Sequence, residues 1–411
     1  MFYINDHYYT EEDLKSYYTS FENIDALHNG RRVRIAVCTT NVLEWLALFF
    51  YMKGKGGSVV PIHASSPREA AIRVAKMASS HFLINQSVSS IVHLNRTQPE
   101  EEGRLVQFTS GSTGAPKCIE RIWLEVEKEV EEYIKRLPVG RETTPIIACP
   151  VTHSYGLISG VVASLKREVE PVIITSMNPK YILRKLREYP NHLLYASPSL
   201  LYSLVSLLPK RERFHMVMTS GALMPSSWFA SLRAVSNQVF QQYGCSEAGC
   251  VAIEANVTHP QQMGTPLSHV RVRAGEIGRP SEIIVETESK TIHTNDLGYF
   301  AEDGTLHFVS RLDDVINVAG LNVYPQEVED ALMEEPRVKE AIVYKKIDLY
   351  AGERVCALFT SYSPISEMEL RKWCQARLAP YQIPVELKEV IDIPKLANGK
   401  VNRKMLSEVH V

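Results

Sequence analysis

The chain has no long apolar run, no basic N-terminal segment and almost no net charge, and each absence removes a class of function. The longest unbroken apolar stretch, Trp45 to Met52, is far shorter than the roughly 20 residues a membrane-crossing helix needs. The N-terminus, Met1-Phe2-Tyr3-Ile4-Asn5-Asp6-His7, lacks the basic and apolar regions of a secretory leader, so the expected location is the cytoplasm. With 45 Lys and Arg against 47 Asp and Glu, the formal net charge is −2, which gives no field for nucleic acid or an anionic membrane. Seven cysteines are scattered from Cys38 to Cys374, an odd number. Only Cys245 and Cys250 are close, and their spacing matches no zinc pattern. Reduced thiols are therefore expected. There is no internal repeat and no low-complexity tract. The common triphosphate loop, GxxxxGK followed by Ser or Thr, is also missing.

What is present is an ordinary globular composition, 45% apolar and 22% charged, over 411 residues. That length exceeds one compact core and predicts two or three domains. Short apolar runs at 34–39, 58–61, 146–148, 172–175, 193–196 and 216–219 alternate with helical patterns at 41–52, 67–79 and 123–137. This order predicts an α/β domain with a largely parallel sheet. Near residue 270 the texture becomes alternating, at 270–273, 282–286, 291–293 and 305–309. An antiparallel portion with a hairpin turn at Glu302-Asp303-Gly304 is expected there. Past Arg311, a helix at 325–334 and strands at 341–344 and 356–360 read as a small α+β unit.

The segment Phe108-Thr109-Ser110-Gly111-Ser112-Thr113-Gly114-Ala115-Pro116-Lys117 is the most informative of the chain. Small residues leave backbone N–H groups free to face an anion, hydroxyls add donors, and Lys117 adds a cation. A strand at 103–108 leads in and the 123–137 helix follows. Alone, such a loop is also what a solvated turn looks like. Five further segments carry candidate ligands or hinge residues. In Gln241-Gln242-Tyr243-Gly244-Cys245-Ser246-Glu247, Glu247 offers a hard oxygen for Mg²⁺ and Tyr243 a flat face for adenine. In Thr294-Asn295-Asp296-Leu297-Gly298, Asp296 can accept ribose hydroxyls, though in isolation the segment reads first as an Asx turn before Gly298. The segments Ser310 to Asn317 and Gly320 to Glu329 place charges where the chain enters the small unit, as hinge residues are placed. In Ile393 to Arg403, Lys400 follows a Gly and sits on a loop.

In this order the segments resemble the core motifs of the acyl-adenylate-forming superfamily: the phosphate loop, YGxTE, TGD, GRxDxxIK and PxxxxGKxxR. His153-Ser154-Tyr155-Gly156 is similar to its aromatic-gate motif. Ser220-Gly221-Ala222-Leu223 and Gly264-Thr265-Pro266 are similar to two smaller signatures. The resemblance covers at least residues 31 to 404.

It implies a large N-terminal α/β domain with mixed sheets, residues 1–312, and a small mobile α+β C-terminal domain, residues 313–411, hinged at Asp313. It implies that a carboxylate attacks ATP to give an acyl-adenylate and pyrophosphate, and that a thiol then takes the acyl group. By resemblance, Thr109, Ser110, Gly111, Ser112, Thr113, Gly114 and Lys117 hold the phosphates, and Glu247 holds Mg²⁺. Gly221, Ala222, Tyr243, Gly244, Asp296 and Arg311 hold adenine and ribose. Lys400 and His153 act at the reaction centre. His153, Ser154, Ser220, Cys245 and Gly249 line the acid pocket.

Several positions depart from the family. Ser246 replaces Thr, Asn295 replaces the Gly of TGD, Ser310 replaces a Gly, and Asn317 stands where a Lys is usual. Only 108 residues precede Thr109, so a trimmed N-terminal region is expected to thin the outer sheet or expose a homodimer surface.

The pocket positions are small or polar, which disfavours a long fatty chain. In stand-alone aryl-acid activators of siderophore pathways an Asn occupies the position of Ser154. A shorter hydroxyl there suits another ring pattern, and the resemblance to the petrobactin branch implies 3,4-dihydroxybenzoate. The acceptor is expected to be a separate carrier protein, since no carrier domain follows Val411. An aryl- or short-acyl-CoA ligase using CoA is the alternative, and a catalytically silent nucleotide-binding protein a third reading.

Overall fold

The computed structural model describes the chain except residues 29, 97, 110–116, 349–350, 396–400 and 410–411, and the side chains at 109, 408 and 409. The expectations for Ser110, Gly111, Ser112, Thr113, Gly114 and Lys400 therefore lie outside the described residues.

Among the described residues, three sheets organise the chain. The first has a parallel centre, Val172–Ile173, Thr144–Ala148, His192–Ala196, Phe214–Thr219 and Ser236–Cys245. These strands are buried on both faces, which is why they read as short continuous apolar runs. At Gly249–Glu254 the sheet turns antiparallel. It continues through Gln262–Pro266, Leu306–Arg311, Thr291–Phe300, Ser281–Glu286 and Arg271–Arg273. The predicted parallel and antiparallel parts are thus one sheet. Its far edge is closed by Phe2–Ile4 and His7–Tyr9, a hairpin the sequence reading left out.

The second sheet orders Ile91–His93, Phe82–Asn85, Arg34–Cys38, Ser58–Pro61, Arg104–Thr109 and Lys117–Ile122. Between it and the first lies a common core. The helix Val42–Lys55 supplies Trp45, Leu46, Phe49 and Met52, and the helix Trp123–Arg136 supplies Val126, Val130 and Tyr133. Asn41 caps the first of these helices, its side chain accepting from the Glu44 N–H at 3.2 Å. Gly56 ends it at φ +73°, a left-handed turn that glycine adopts without strain.

The third sheet, Leu321–Val323, Ile316–Val318, Gly352–Ser361, Val338–Asp348 and Glu386–Glu389, forms the C-terminal unit with the helix Pro325–Met333. Asp313 lies in the single turn Leu312–Asp314 that joins this unit to the first sheet. The unit touches the large one where both Asp330 carboxylate oxygens accept from Ser226, at 3.0 Å from its N–H and 2.7 Å from its hydroxyl.

Candidate active site

The strands Arg104–Thr109 and Lys117–Ile122 pair antiparallel, with Thr109 opposite Lys117. This corrects the simple strand–loop–helix expectation: the strand Lys117–Ile122 intervenes before the helix. Its charged residues disguise it in sequence, yet each is paired once folded. Glu120 meets Arg34 at 2.5 Å and Arg104 at 2.7 Å, and Arg121 meets Glu129 at 2.5 Å. At the head of the strand, the Lys117 ammonium lies 3.5 Å from Glu247 Oε1. Glu247 sits in the turn between Ser236–Cys245 and Gly249–Glu254. Two predicted phosphate-side residues, 130 positions apart, thus converge from different sheets.

Asp296 and Arg311 are cross-strand neighbours, and the guanidinium donates to Asp296 Oδ1 at 2.9 Å. The other oxygen accepts from the Tyr243 hydroxyl at 2.7 Å. The Asp296 carboxyl is nearly buried, whereas Arg311 is half exposed, so this cluster has one wet side. The Asx-turn alternative for this segment is corrected. The segment is a bulge inside a continuous strand, where the pairing shifts register between Glu282 and Ile284. Three residues, Thr294 to Asp296, stand opposite the single Ile283, and Asn295 at their centre has φ +56°, a left-handed conformation that Asn tolerates better than other non-glycine residues. That is the physical reason Asn can stand where the family has Gly. The Tyr243 ring is itself buried, 6.5 Å from the Phe308 ring, and burial followed by the Asp296 charge pushes its pKa well up.

On the acid side, His153 is exposed and Ser154 half-buried. They lead into a π-helix, Tyr155–Val162, in which the Ala163 N–H bonds to the Ile158 carbonyl five residues back. Such widened turns recur at functional sites. The Tyr155 hydroxyl donates to the Met218 carbonyl at 2.6 Å, which fixes the start of this helix over the ends of the parallel strands. Ser220 donates to the Gln242 carbonyl at 3.1 Å, and Gly221 and Ala222 are exposed beside it. Gly221 has φ +91°. Cys245 is held protonated: burial first, then the negative charge of Glu247, raises its thiol to about 12.

Gly249 has two reasons to be glycine that pocket lining alone does not supply. Its φ is +78°, and a Cβ there would lie 2.3 Å from the Glu129 carboxylate. Glu129 cannot yield, because one oxygen pairs with Arg121 and the other accepts from the Cys250 N–H at 2.7 Å.

Sequence reasoning missed Glu129, Arg121 and Gln107. Gln107 is buried and accepts from the Ser154 hydroxyl at 2.5 Å. The available signal was a polar residue between apolar neighbours in this strand, two places before Thr109.

The His153, Ser220 and Glu247 segments follow parallel strands at their carboxyl ends, where open α/β sheets bind ligands, and the arrangement agrees with what the chain is similar to. Residues 93–282 match the family model of AMP-binding enzymes, and residues 327–400 match the AMP-binding enzyme C-terminal domain. Over 408 residues, 99% of the chain and 98% of the relative, it is 38% identical to a 3,4-dihydroxybenzoate–[aryl-carrier protein] ligase of Bacillus anthracis. The chain belongs to the AMP-binding enzyme family. It is an adenylate-forming ligase.

A second member, a 2-succinylbenzoate–CoA ligase of Lactococcus lactis, is 22% identical over 91% of the chain and 90% of its own length. Among solved structures, ATP-bound MatB from Rhodopseudomonas palustris superposes with a TM-score of 0.86, covering 97% and 93% of the two chains at 18% identity. The o-succinylbenzoate CoA synthetase of Bacillus subtilis with its acyl-adenylate gives 0.82, covering 98% and 94% at 21% identity. Both establish the fold of this AMP-binding enzyme. Among the described residues no helix is long and apolar enough to cross a membrane, and no cluster of three metal-ligating side chains occurs.

Proposed function

We propose that this ligase activates 3,4-dihydroxybenzoate as its acyl-adenylate and passes the aryl group to the phosphopantetheine thiol of a separate carrier protein, in petrobactin-type siderophore synthesis in the cytoplasm. The observation that carries the reading is the full-length similarity to the Bacillus anthracis ligase. The half-buried Ser154–Gln107 pair and the small residues around it suit a compact polar aromatic acid.

In the first half-reaction a carboxylate oxygen attacks the α-phosphorus of ATP, and pyrophosphate leaves. Both reactants are anionic, so cations must already be in place. Lys117, with the residues of the loop ahead of it, is assigned to the leaving phosphates. A lone carboxylate such as Glu247 fits Mg²⁺, which takes one or two protein oxygens and completes its shell with water and phosphate. When bound, the ion would neutralise charge on the phosphates. Asp296, oriented by Arg311 and Tyr243, would accept the ribose hydroxyls, with Gly221, Ala222 and Gly244 beside the adenine. His153 and Lys400 are assigned to the reaction centre, the lysine delivered by the C-terminal unit turning about Asp313. In the second half-reaction the carrier thiol attacks the acyl carbon and AMP leaves.

An aryl-CoA ligase is the second reading, favoured by the similarity to 2-succinylbenzoate–CoA ligase. The test is ATP-dependent pyrophosphate release with 3,4-dihydroxybenzoate, 2,3-dihydroxybenzoate and benzoate, followed by acyl transfer to phosphopantetheinylated carrier protein or to CoA. Preference for 3,4-dihydroxybenzoate and for the carrier is expected, with loss of pyrophosphate release in Lys400→Ala. Preference for another acid removes the substrate assignment, and transfer to CoA alone removes the carrier.

A further inference from the structure

Two charged side chains meet from different sheets and neutralise each other. Lys117 heads the strand Lys117–Ile122 of the second sheet, and Glu247 lies in the turn after Ser236–Cys245 of the first. Ammonium and carboxylate are 3.5 Å apart, and among the described residues neither makes another ion pair. The lysine side chain is 68% exposed and the glutamate 22%. Lys117 is thus open to a ligand from solvent, whereas Glu247 is partly withdrawn from water and depends more on its partner. The Glu247 charge reaches its surroundings: after burial, it is the next cause that keeps the Cys245 thiol protonated.

The two groups carry opposite assignments, Lys117 to an anion and Glu247 to a cation. Without ligands each occupies the other, the ammonium as counter-cation to Glu247 and the carboxylate as counter-anion to Lys117. A polyphosphate arriving alone must separate them, and it then faces an unpaired carboxylate of its own sign. Glu247 can take a divalent cation alone only by giving up the ammonium, which leaves Lys117 without an anion. When both arrive, both residues exchange partners and no charge is left unpaired. The exchange needs little movement of the chain. The Lys117 backbone is held opposite Thr109 in the strand ladder, while its four-carbon stem lets the ammonium swing.

We propose that the Lys117–Glu247 ion pair is a lock on the phosphate site, holding Lys117 away from polyphosphate until Glu247 is taken by a divalent cation. The lock makes the site reject metal-free nucleotide and couples nucleotide and cation affinity reciprocally. This rests on the nucleotide assignments above and adds the regulation of that site.

The test is a double-mutant cycle on the binding of ATP in EDTA, measured by equilibrium dialysis for the wild type, Glu247→Gln, Lys117→Gln and the double variant. Glu247→Gln should tighten metal-free ATP. Part of that gain is relief of repulsion and persists without Lys117. The lock adds about fivefold, the upper end for a partly exposed ion pair, and only where Lys117 is present. In excess magnesium the same substitution should instead weaken ATP, a reversal of sign that a merely structural role would not give. Without nucleotide, Lys117→Gln should tighten Mn²⁺ about fivefold, read from the electron paramagnetic resonance of the ion. Equal gains from Glu247→Gln with and without Lys117 overturn the proposal. So does a loss of affinity in EDTA, or an Mn²⁺ affinity indifferent to Lys117→Gln. A wild type that binds ATP neither in EDTA nor in magnesium refutes the nucleotide reading itself, a failure distinct from that of the lock.

Discussion

Acidification should destabilise this protein through one buried histidine in the sheet that carries the site. His192 begins the strand His192–Ala196 and is 3% exposed. Its Nδ1 lies 2.7 Å from the Tyr189 carbonyl, and its Nε2 lies 3.1 Å from the His215 N–H. A neutral ring protonated at Nδ1 satisfies both contacts. A second proton at Nε2 would point at another donor. Burial, reinforced by the neighbouring His215 and only partly offset by the Tyr189 bond, lowers its pKa from 6.5 to about 4. The sign follows from the neutral form being the folded one. Below 6.5 the unfolded chain takes up a proton that the fold refuses until about 4. The contribution is therefore complete above 6.5 and is lost as pH falls from there toward 4. Two and a half units at about 1.4 kcal/mol each amount to about 3.5 kcal/mol, of which about 2 is lost between about pH 7.5 and about pH 5. The assay is urea unfolding of wild type and His192→Asn at those two pH values. Asn keeps a donor for the Tyr189 carbonyl and cannot titrate. The stability gap between the proteins should narrow by about 2 kcal/mol at the acid end. An equal gap at both pH values would refute the reasoning.

Two further predictions concern groups whose partners leave them no room. Gly249→Ala must adopt a left-handed φ and push into a carboxylate held by Arg121 and Cys250, so it should cost about 3 kcal/mol or more in urea unfolding, with pyrophosphate release lost in parallel. In the C-terminal unit, Arg403 bonds Glu329 at 2.7 Å, Asp314 at 3.1 Å and the Val343 carbonyl at 3.0 Å. Arg403→Met leaves the buried Glu329 carboxylate unpaired and should destabilise this unit by about 3–5 kcal/mol, read from the fluorescence of Trp373; adding Glu329→Gln should recover part of the loss.

The fold was legible wherever burial is uniform. Arg34–Cys38 is buried at every position, and such runs between glycine turns and helical patterns announce a parallel α/β sheet. Legibility fails where a strand owes its place to partners distant in sequence. Lys117–Ile122 contains Lys, Glu and Arg within five residues, and nothing local says that Glu120 will meet Arg34, 86 positions away. The N-terminal hairpin is hidden similarly. Its three-residue strands show no period, and they hold because Phe2–Ile4 pairs with Val172–Ile173 and Asp6 bonds Arg184 and Tyr181. The π-helix carries no sequence mark, since its pattern differs from that of an α-helix only over eight residues.

The candidate site divides along the same line. Asp296 and Arg311 stand in segments that were legible singly and weakly, one of them reading in isolation as an Asx turn. The fold makes them adjacent positions on paired strands, and the bulge around Asn295 sets three residues, Thr294 to Asp296, against one on the neighbouring strand. What looked like two faint signals is one unit: a nearly buried carboxylate held on one oxygen by a guanidinium and on the other by the Tyr243 hydroxyl. That unit also explains why Tyr243 could be recognised but not fully interpreted from the chain alone. Its ring was expected to offer a face to adenine, and the expectation stands as a proposal. Its hydroxyl has a second task, fixing Asp296 from the strand of another segment, that only the register of the sheet discloses. Residues that touch a ligand recur as motifs because the chemistry demands their types. Residues that hold them, such as Gln107 and Glu129, answer to packing partners from other parts of the chain, and so are read from the fold.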